Sequence, residues 1–529
     1  MTTAKTLEIS SCLIFLLLAL PALAQQDFGE VAFANSGPKA AQADFLRGVA
    51  LLHNFEYEDA ADSFRNAQKL APDFAMAYWG EAMTQNHPVW HEEDVDAARE
   101  VLKHLGPTPE ARLAKAPSER EKLYLRSVEV LFGDGKKEER DRRHEAVLAE
   151  LHHKFPDDVD GSAFYALAIL GTAEKGRDFA TYMRAAAVLE EVFPQHPRHP
   201  GVVHYLIHCY DDSVHAPLGL RAARIYSKIA PEADHAQHMT SHIFLALGMW
   251  DEEIAANETA MGVVNRYRQK MGKPPSFCGH YNEWLQYGYL QQGRVEDARR
   301  IMNGCRKQAE EAAAALADPN NPRHKQMSDS MMSGMSPAMM LVSSYAGMRT
   351  HFLVTTRAWN DESASWKIPA GDFPFPELDF EYADTLVAIG RGDKTAARDA
   401  FSRAEKTVPR VTAWLNQMKM DMPGMTGTVT ITVDQLRAAL TAAEGKSEEA
   451  VKEMQKVSKQ EDALPLEFGP PNIEKPTDEM LGELLLQLKR PVEARDAFQA
   501  ALARNPGRKL SVEGLGQTDK QTTAASIAK

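Results

Sequence analysis

Histidine is the residue whose placement stands out in this chain. There are 18 in 529 residues, and nine of them lie between His196 and His280. His204 and His208 are four apart. His235, His238 and His242 are three and four apart. On a helix such spacings put imidazoles on one face. His238 follows His204 by 34 residues, and His242 follows His208 by the same interval. If the interval is a structural repeat, the pairs sit side by side on neighbouring helices, about 8–10 Å apart. Imidazoles reaching across that gap can share a metal ion.

A third helix is aligned by its turn glycine. His235, His238 and His242 precede Gly248 by 13, 10 and 6 residues, and His280, Glu283 and Tyr287 precede Gly293 by the same intervals. The expected line is His204/His208, His235/His238/His242 and His280/Glu283/Tyr287. Imidazole with carboxylate suits Zn, Fe, Mn or Cu, whereas Ca and Mg need an oxygen cage. In a metal site with an open position, Glu283 is the candidate general base and Tyr287 the donor to developing charge. Asp211, Asp212 and His215, at the end of the His204 helix, are candidate outer carboxylates or further ligands. His87 and His91 form a separate, weaker candidate. The competing reading is duplication of a hydrogen-bonded structural histidine. The Zn-protease pattern His-Glu-x-x-His does not occur, since Tyr205 follows His204. Neither a Gly-rich phosphate loop nor a Gly-x-Ser-x-Gly elbow is evident.

Methionine is the second clustered type. Met327, Met331, Met332, Met335, Met339, Met340 and Met348 fall in one segment, and Met418, Met420, Met422 and Met425 in another. Thioethers suit Cu(I), which makes copper handling one expectation. Filling of irregular core gaps is the rival.

The elements that position these residues read as helices. Thr428–Val433 is the one convincing β-type run. Elsewhere Ala/Leu/Glu/Arg-rich segments with helical periodicity alternate with short turns. A turn residue is followed two on by an apolar or aromatic residue and five on by Ala. Phe55 with Ala60, Gly293 with Ala298, Gly392 with Ala397, Gly445 with Ala450 and Lys489 with Ala494 follow this rule. Gly248 fits with Glu253 in place of Ala. Prolines close several second helices: Pro72, Pro194, Pro231 and Pro506. These residues resemble the tetratricopeptide repeat, a helix–turn–helix unit of about 34 residues. The resemblance covers most of residues 40–505 and implies an all-α solenoid with interrupting loops. Its concave groove is expected to take a peptide or protein partner. The stretches Asp73–Ala82, His204–His208, His235–Phe244 and Phe468–Leu486 are similar to a bacterial group of exported repeat proteins without an established activity. Related chains often carry Pro where this one has Thr240.

The expected organisation is a signal peptide over 1–24, a repeat array over 25–300, an irregular Met-rich segment over 301–375, a second array over 376–510 and a disordered tail over 511–529. The leader has Lys5, an apolar run from Cys12 to Leu23 and Ala22-Leu23-Ala24 before Gln25, which reads as cleaved export to the periplasm or outside. That run is too short for a membrane span. Glu8 keeps an uncleaved anchor as the rival. After cleavage Cys209, Cys278 and Cys305 remain, so one disulfide and one free thiol are expected, with the pairing open. The formal net charge of −14 and the lack of a Lys/Arg-dense stretch argue against nucleic acid as the main partner. Two functions follow: a partner-binding solenoid, or a metalloprotein, either as a binding protein or as an enzyme.

Overall fold

The computed structural model describes residues 27–173, 176–329, 334–369, 371–417 and 423–527. The leader of 1–24 lies outside the described residues. Among those described there are twenty-four α-helices and one short hairpin, Asn86–His87 paired antiparallel with Glu92–Glu93. None of these helices is long and apolar enough to cross a membrane.

The hairpin rule of the sequence has a geometric cause. Phe55, Gly248, Gly293, Gly392, Gly445 and Lys489 all have positive φ, between 59° and 92°. They end the first helix of each pair in the left-handed conformation that reverses the chain. Ala60, Ala298, Ala397, Ala450 and Ala494, five residues on, are all 0% exposed. A methyl group is what the close approach of the two helices leaves room for. Asp234–Ala246 with Trp250–Lys270 is one such pair, and Pro200–Tyr210 with Ala216–Ile229 precedes it.

Three expectations are corrected. The Thr428–Val433 run lies inside the helix Pro423–Ala443. Its β-branched residues Val429, Ile431 and Val433 are buried there, so packing overrides the local β preference. The segment 301–375 is largely helical, through Val295–Ala317 and Pro337–Thr356. The tail is helical too, as Lys509–Ile527. Leu510 is buried against the preceding repeat, which gives that helix a face to pack.

The C-terminal segment returns to the middle of the chain. Trp250 Nε1–H donates to the Gly507 carbonyl at 3.0 Å, and Arg508 donates to the Tyr287 hydroxyl at 3.0 Å. Lys509 N–H donates to Gln291 Oε1 at 2.9 Å. A Cβ on Gly248 would lie 2.6 Å from the Pro506 carbonyl oxygen, so the contact requires glycine twice over, for space and for φ. Cys278, in the linker before His280–Gln291, forms a disulfide with Cys305 on Val295–Ala317, and Cys209 is a buried free thiol.

Candidate metal centre

Three helices bring six histidines together. His204 and His208 come from Pro200–Tyr210, His235, His238 and His242 from Asp234–Ala246, and His280 from the first position of His280–Gln291. They divide into two triads, His204/His208/His235 and His238/His242/His280, whose ring nitrogens within each triad lie within 4.8 Å of one another. His204, His208, His238 and His242 are 0–3% exposed and His235 is 8% exposed. His280 is exposed. Burial holds the imidazoles of His204, His208, His235, His238 and His242 well below their usual pKa, and the neighbouring imidazoles lower them further. They are neutral at pH 7.

Their hydrogen bonds fix which nitrogen carries the proton. His238 Nδ1 faces Asn257 Oδ1 at 2.6 Å, and His242 Nδ1 faces Asp211 Oδ2 at 2.9 Å. Both partners only accept, so both Nδ1 atoms donate. The two Nε2 atoms are then bare acceptors, and they face each other at 3.2 Å. No proton is available to sit between them. In the first triad, His204 Nδ1 donates to the His53 carbonyl at 2.7 Å. Its bare Nε2 is approached by His208 Nε2 at 3.1 Å and by His235 Nε2 at 3.2 Å. Facing lone pairs like those of His238 and His242 are what a bound transition-metal ion satisfies.

The outer residues serve both triads. Asp211 Oδ2 holds His242 and lies 3.6 Å from His208 Nδ1. Arg177 pairs with Asp211 and with Asp212, the latter at 3.1 Å, which balances the buried charge. Asp211 therefore touches one histidine of each triad. Asp212 instead receives His215 Nδ1 at 2.9 Å, and that histidine joins neither triad.

Glu253 and Asn257 were missed by sequence reasoning, although a signal existed. Glu253 stands where the repeat has Ala, and it is 0% exposed. Room for it comes from Gly288, where a Cβ would run into the Glu253 carboxyl group. Glu253 Oε1 accepts from Asn257 Nδ2 at 2.7 Å, which turns Asn257 Oδ1 toward His238. The departure from the repeat is thus the first link of a chain ending on a histidine. Glu253→Ala is expected to weaken metal binding at the second triad about 10–100-fold. Competition with a chelator of known affinity measures it, and Glu253→Gln should retain most of the affinity.

Glu283 and Tyr287 are not brought to the histidines. Glu283 is set near Ser344, His351 and Glu474, and burial raises its pKa. Tyr287 accepts from Arg508. The line of equivalent positions continues past the histidines, and Tyr287 serves the contact with the C-terminal segment instead. With Glu283 elsewhere, both triads offer imidazole alone, a donor set that suits Zn, Cu or Fe better than Mn. His87 stacks on Tyr57 at 3.9 Å between ring centroids, and His91 holds φ 56° in the hairpin turn; neither joins a ligand group. Met327 and Met348 are buried in two separate apolar clusters, and Met425 packs against a third. Met331, Met332, Met418, Met420 and Met422 lie outside the described residues. A cavity of about 630 Å³ among the C-terminal helices, bordered by Val354, Met454 and Phe498, is separate from the histidines.

A third cluster shows what a satisfied histidine group looks like. Val202 N–H donates to His199 Nδ1 at 3.3 Å, so His199 Nε2–H donates to Asp160 at 3.1 Å. His53 Nε2–H donates to the same oxygen at 3.0 Å, and its Nδ1 accepts from Tyr205 at 3.1 Å. Every ring nitrogen has a partner of the right polarity, and no cation is called for.

A tetratricopeptide-repeat family model matches residues 19–83 and 479–509, at opposite ends of the array. These two segments match the tetratricopeptide-repeat model, and the described residues form an all-α array of helical hairpins. Such repeat arrays generally serve as scaffolds for protein interaction. No curated protein matches the sequence. Among solved structures, this chain is similar to the APC/C hetero-tetramer Cut9-Hcn1, at 11% identity over 92% of this chain and 78% of that one, with TM-score 0.35. It is likewise similar to yeast Tom70, at 14% identity over 92% of this chain and 97% of that one, with TM-score 0.32. At these values the likenesses carry no argument about function.

Proposed function

We propose that this repeat protein is a metalloprotein holding two transition-metal ions, one in each histidine triad. The observation that carries the reading is the pair of bare Nε2 atoms of His238 and His242, 3.2 Å apart, with both Nδ1 protons committed elsewhere. A purely structural pair would alternate donor and acceptor, as His53, His199 and Asp160 do. Neutral imidazole sets suit Zn, Cu or Fe.

This reading ranks above a peptide bound in the concave groove. Along the histidine line the chain fills that space itself, since Phe468 stacks on His242 at 5.1 Å and Trp284 lies 4.5 Å from it, between ring centroids. Export to the periplasm or outside belongs to the same proposal. The leader pattern supports it, and so does the bridge between Cys278 and Cys305, because disulfides persist in oxidising compartments.

Elemental analysis of the purified, dialysed protein tests the reading. Two equivalents of metal are expected. The double variant His238→Ala/His242→Ala should keep one, and His204→Ala/His208→Ala should keep the other. A parent protein that takes up no metal from Zn, Cu or Fe solutions ends the proposal.

A further inference from the structure

The two triads sit in different surroundings, and this difference deepens the metal reading on which it rests. The first triad is roofed. Phe55 holds the left-handed turn position with φ 59°, where four of the other five turns use glycine. An aromatic residue there is strained, and the strain needs an offsetting contact. Its ring centroid lies 4.4 Å from His204, 5.7 Å from His208 and 5.5 Å from His235. It is close to parallel with the last two rings, at 25° and 29°. Tyr226 stacks on His204 at 5.2 Å. Lys489 shares the turn conformation with an exposed side chain, so the conformation alone does not demand burial.

The second triad has flat aromatic cover on two rings only. Tyr281 stacks on His238 at 4.4 Å, and Phe468 stacks on His242 at 5.1 Å. No ring lies flat on His280, which Trp284 meets edge-on at 5.1 Å, and His280 is the exposed member of the six.

We infer that the His238/His242/His280 site keeps an open coordination position for a small anion or oxygen donor from solvent, while Phe55 closes the His204/His208/His235 site to such ligands. A closed site with saturated surroundings is the pattern of structural metals, and an open three-ligand site is the pattern of reactive ones. Water bound at an open position of a three-histidine metal is acidified toward neutrality, which makes hydroxide the natural occupant.

Azide titration of the full-length protein loaded with Co(II) tests the assignment, with visible absorption as readout. Cobalt content is measured first, so failure to load counts against the two-metal reading and not against this one. With two cobalt ions bound, one equivalent of azide is expected to perturb the spectrum. His280→Ala should abolish the azide response while cobalt at the first triad remains. Phe55→Gly, which gives that turn the residue used by the others, should keep both cobalt ions and admit a second azide. The assignment is overturned if the loaded parent binds two azides or none. It is equally overturned if its single azide survives His280→Ala, or if Phe55→Gly leaves the stoichiometry at one.

Discussion

Stripping the metal with a chelator should lower the thermal midpoint of the protein by several degrees, and adding back the metal should restore it. Without an ion, the bare nitrogens of His238 and His242 are left 3.2 Å apart with no proton between them. Around His204 Nε2 the His208 and His235 nitrogens crowd in at 3.1 and 3.2 Å. An ion that binds only the folded chain adds RT ln(1 + [L]/Kd), about 4 kcal/mol when free metal exceeds Kd a thousandfold. Unfolding draws the triads apart, because their ligands come from three helices spanning residues 200–291. Scanning calorimetry with and without chelator measures the shift. His238→Ala/His242→Ala should show a smaller response than the parent, since only one site is left. Midpoints that coincide with and without chelator would count against metal in the native fold.

Acid should destabilise the metal-free protein steeply between about pH 6.5 and pH 4. Burial lowers the imidazole of His53 to about 4, against the Asp160 hydrogen bond that raises it. Burial likewise lowers His144 to about 4, against its bond to the Ser127 carbonyl. Above pH 6.5 these histidines are neutral in both folded and unfolded chains, and they cost nothing. Below it the unfolded chain takes up protons that the folded chain refuses. The penalty grows to roughly 3 kcal/mol per imidazole by pH 4. Asp160 works in a lower window. Burial opposes its ionisation, but the bonds from His199 and His53 win and hold its pKa below the usual carboxylate range. Its stabilisation is therefore lost only below about pH 4. Urea midpoints of the chelated protein at pH 7, 5.5 and 4 report the trend. A flat profile over that range would refute it, and His144→Gln should make the profile shallower.

Much of the fold was legible because repeat packing imposes local rules. A left-handed turn followed by a fully buried alanine leaves a mark in any single hairpin, and Gly293 with Ala298 can be read alone. The interval of 34 between His204 and His238 was readable for the same reason. Register within the line was not. Counting back from Gly293 placed His280, Glu283 and Tyr287 correctly on one face, yet a metal needs nitrogens meeting at a point. Only His280, at the start of its helix, lies beside His238; Glu283 and Tyr287 continue along the groove toward His351 and Arg508. Phe55 and the His53 carbonyl were hidden because they reach the site from about 150 residues away in sequence, the second through a backbone atom. The β-branched run at Thr428–Val433 misled because burial of one helix face outweighed its local preference. Two departures from the repeat, Phe55 for glycine and Glu253 for alanine, both point at the histidines. A repeat's exceptions carried more functional information than its rule.

The return of the C-terminal segment to Gly248 and Tyr287 changes what kind of object the array is. An open stack of hairpins behaves as a spring that can fray from either end, each unit answering only to its neighbours. Here residues 248 and 507 touch, so the last hairpin reports on the middle of the chain. Loss of the end contacts frees the helix that carries His280 on its other end. Contacts this distant in sequence form late and slow the approach to the native state. The protein is a clasped loop, and the helix that begins at His280 has its far end held by residues 508 and 509.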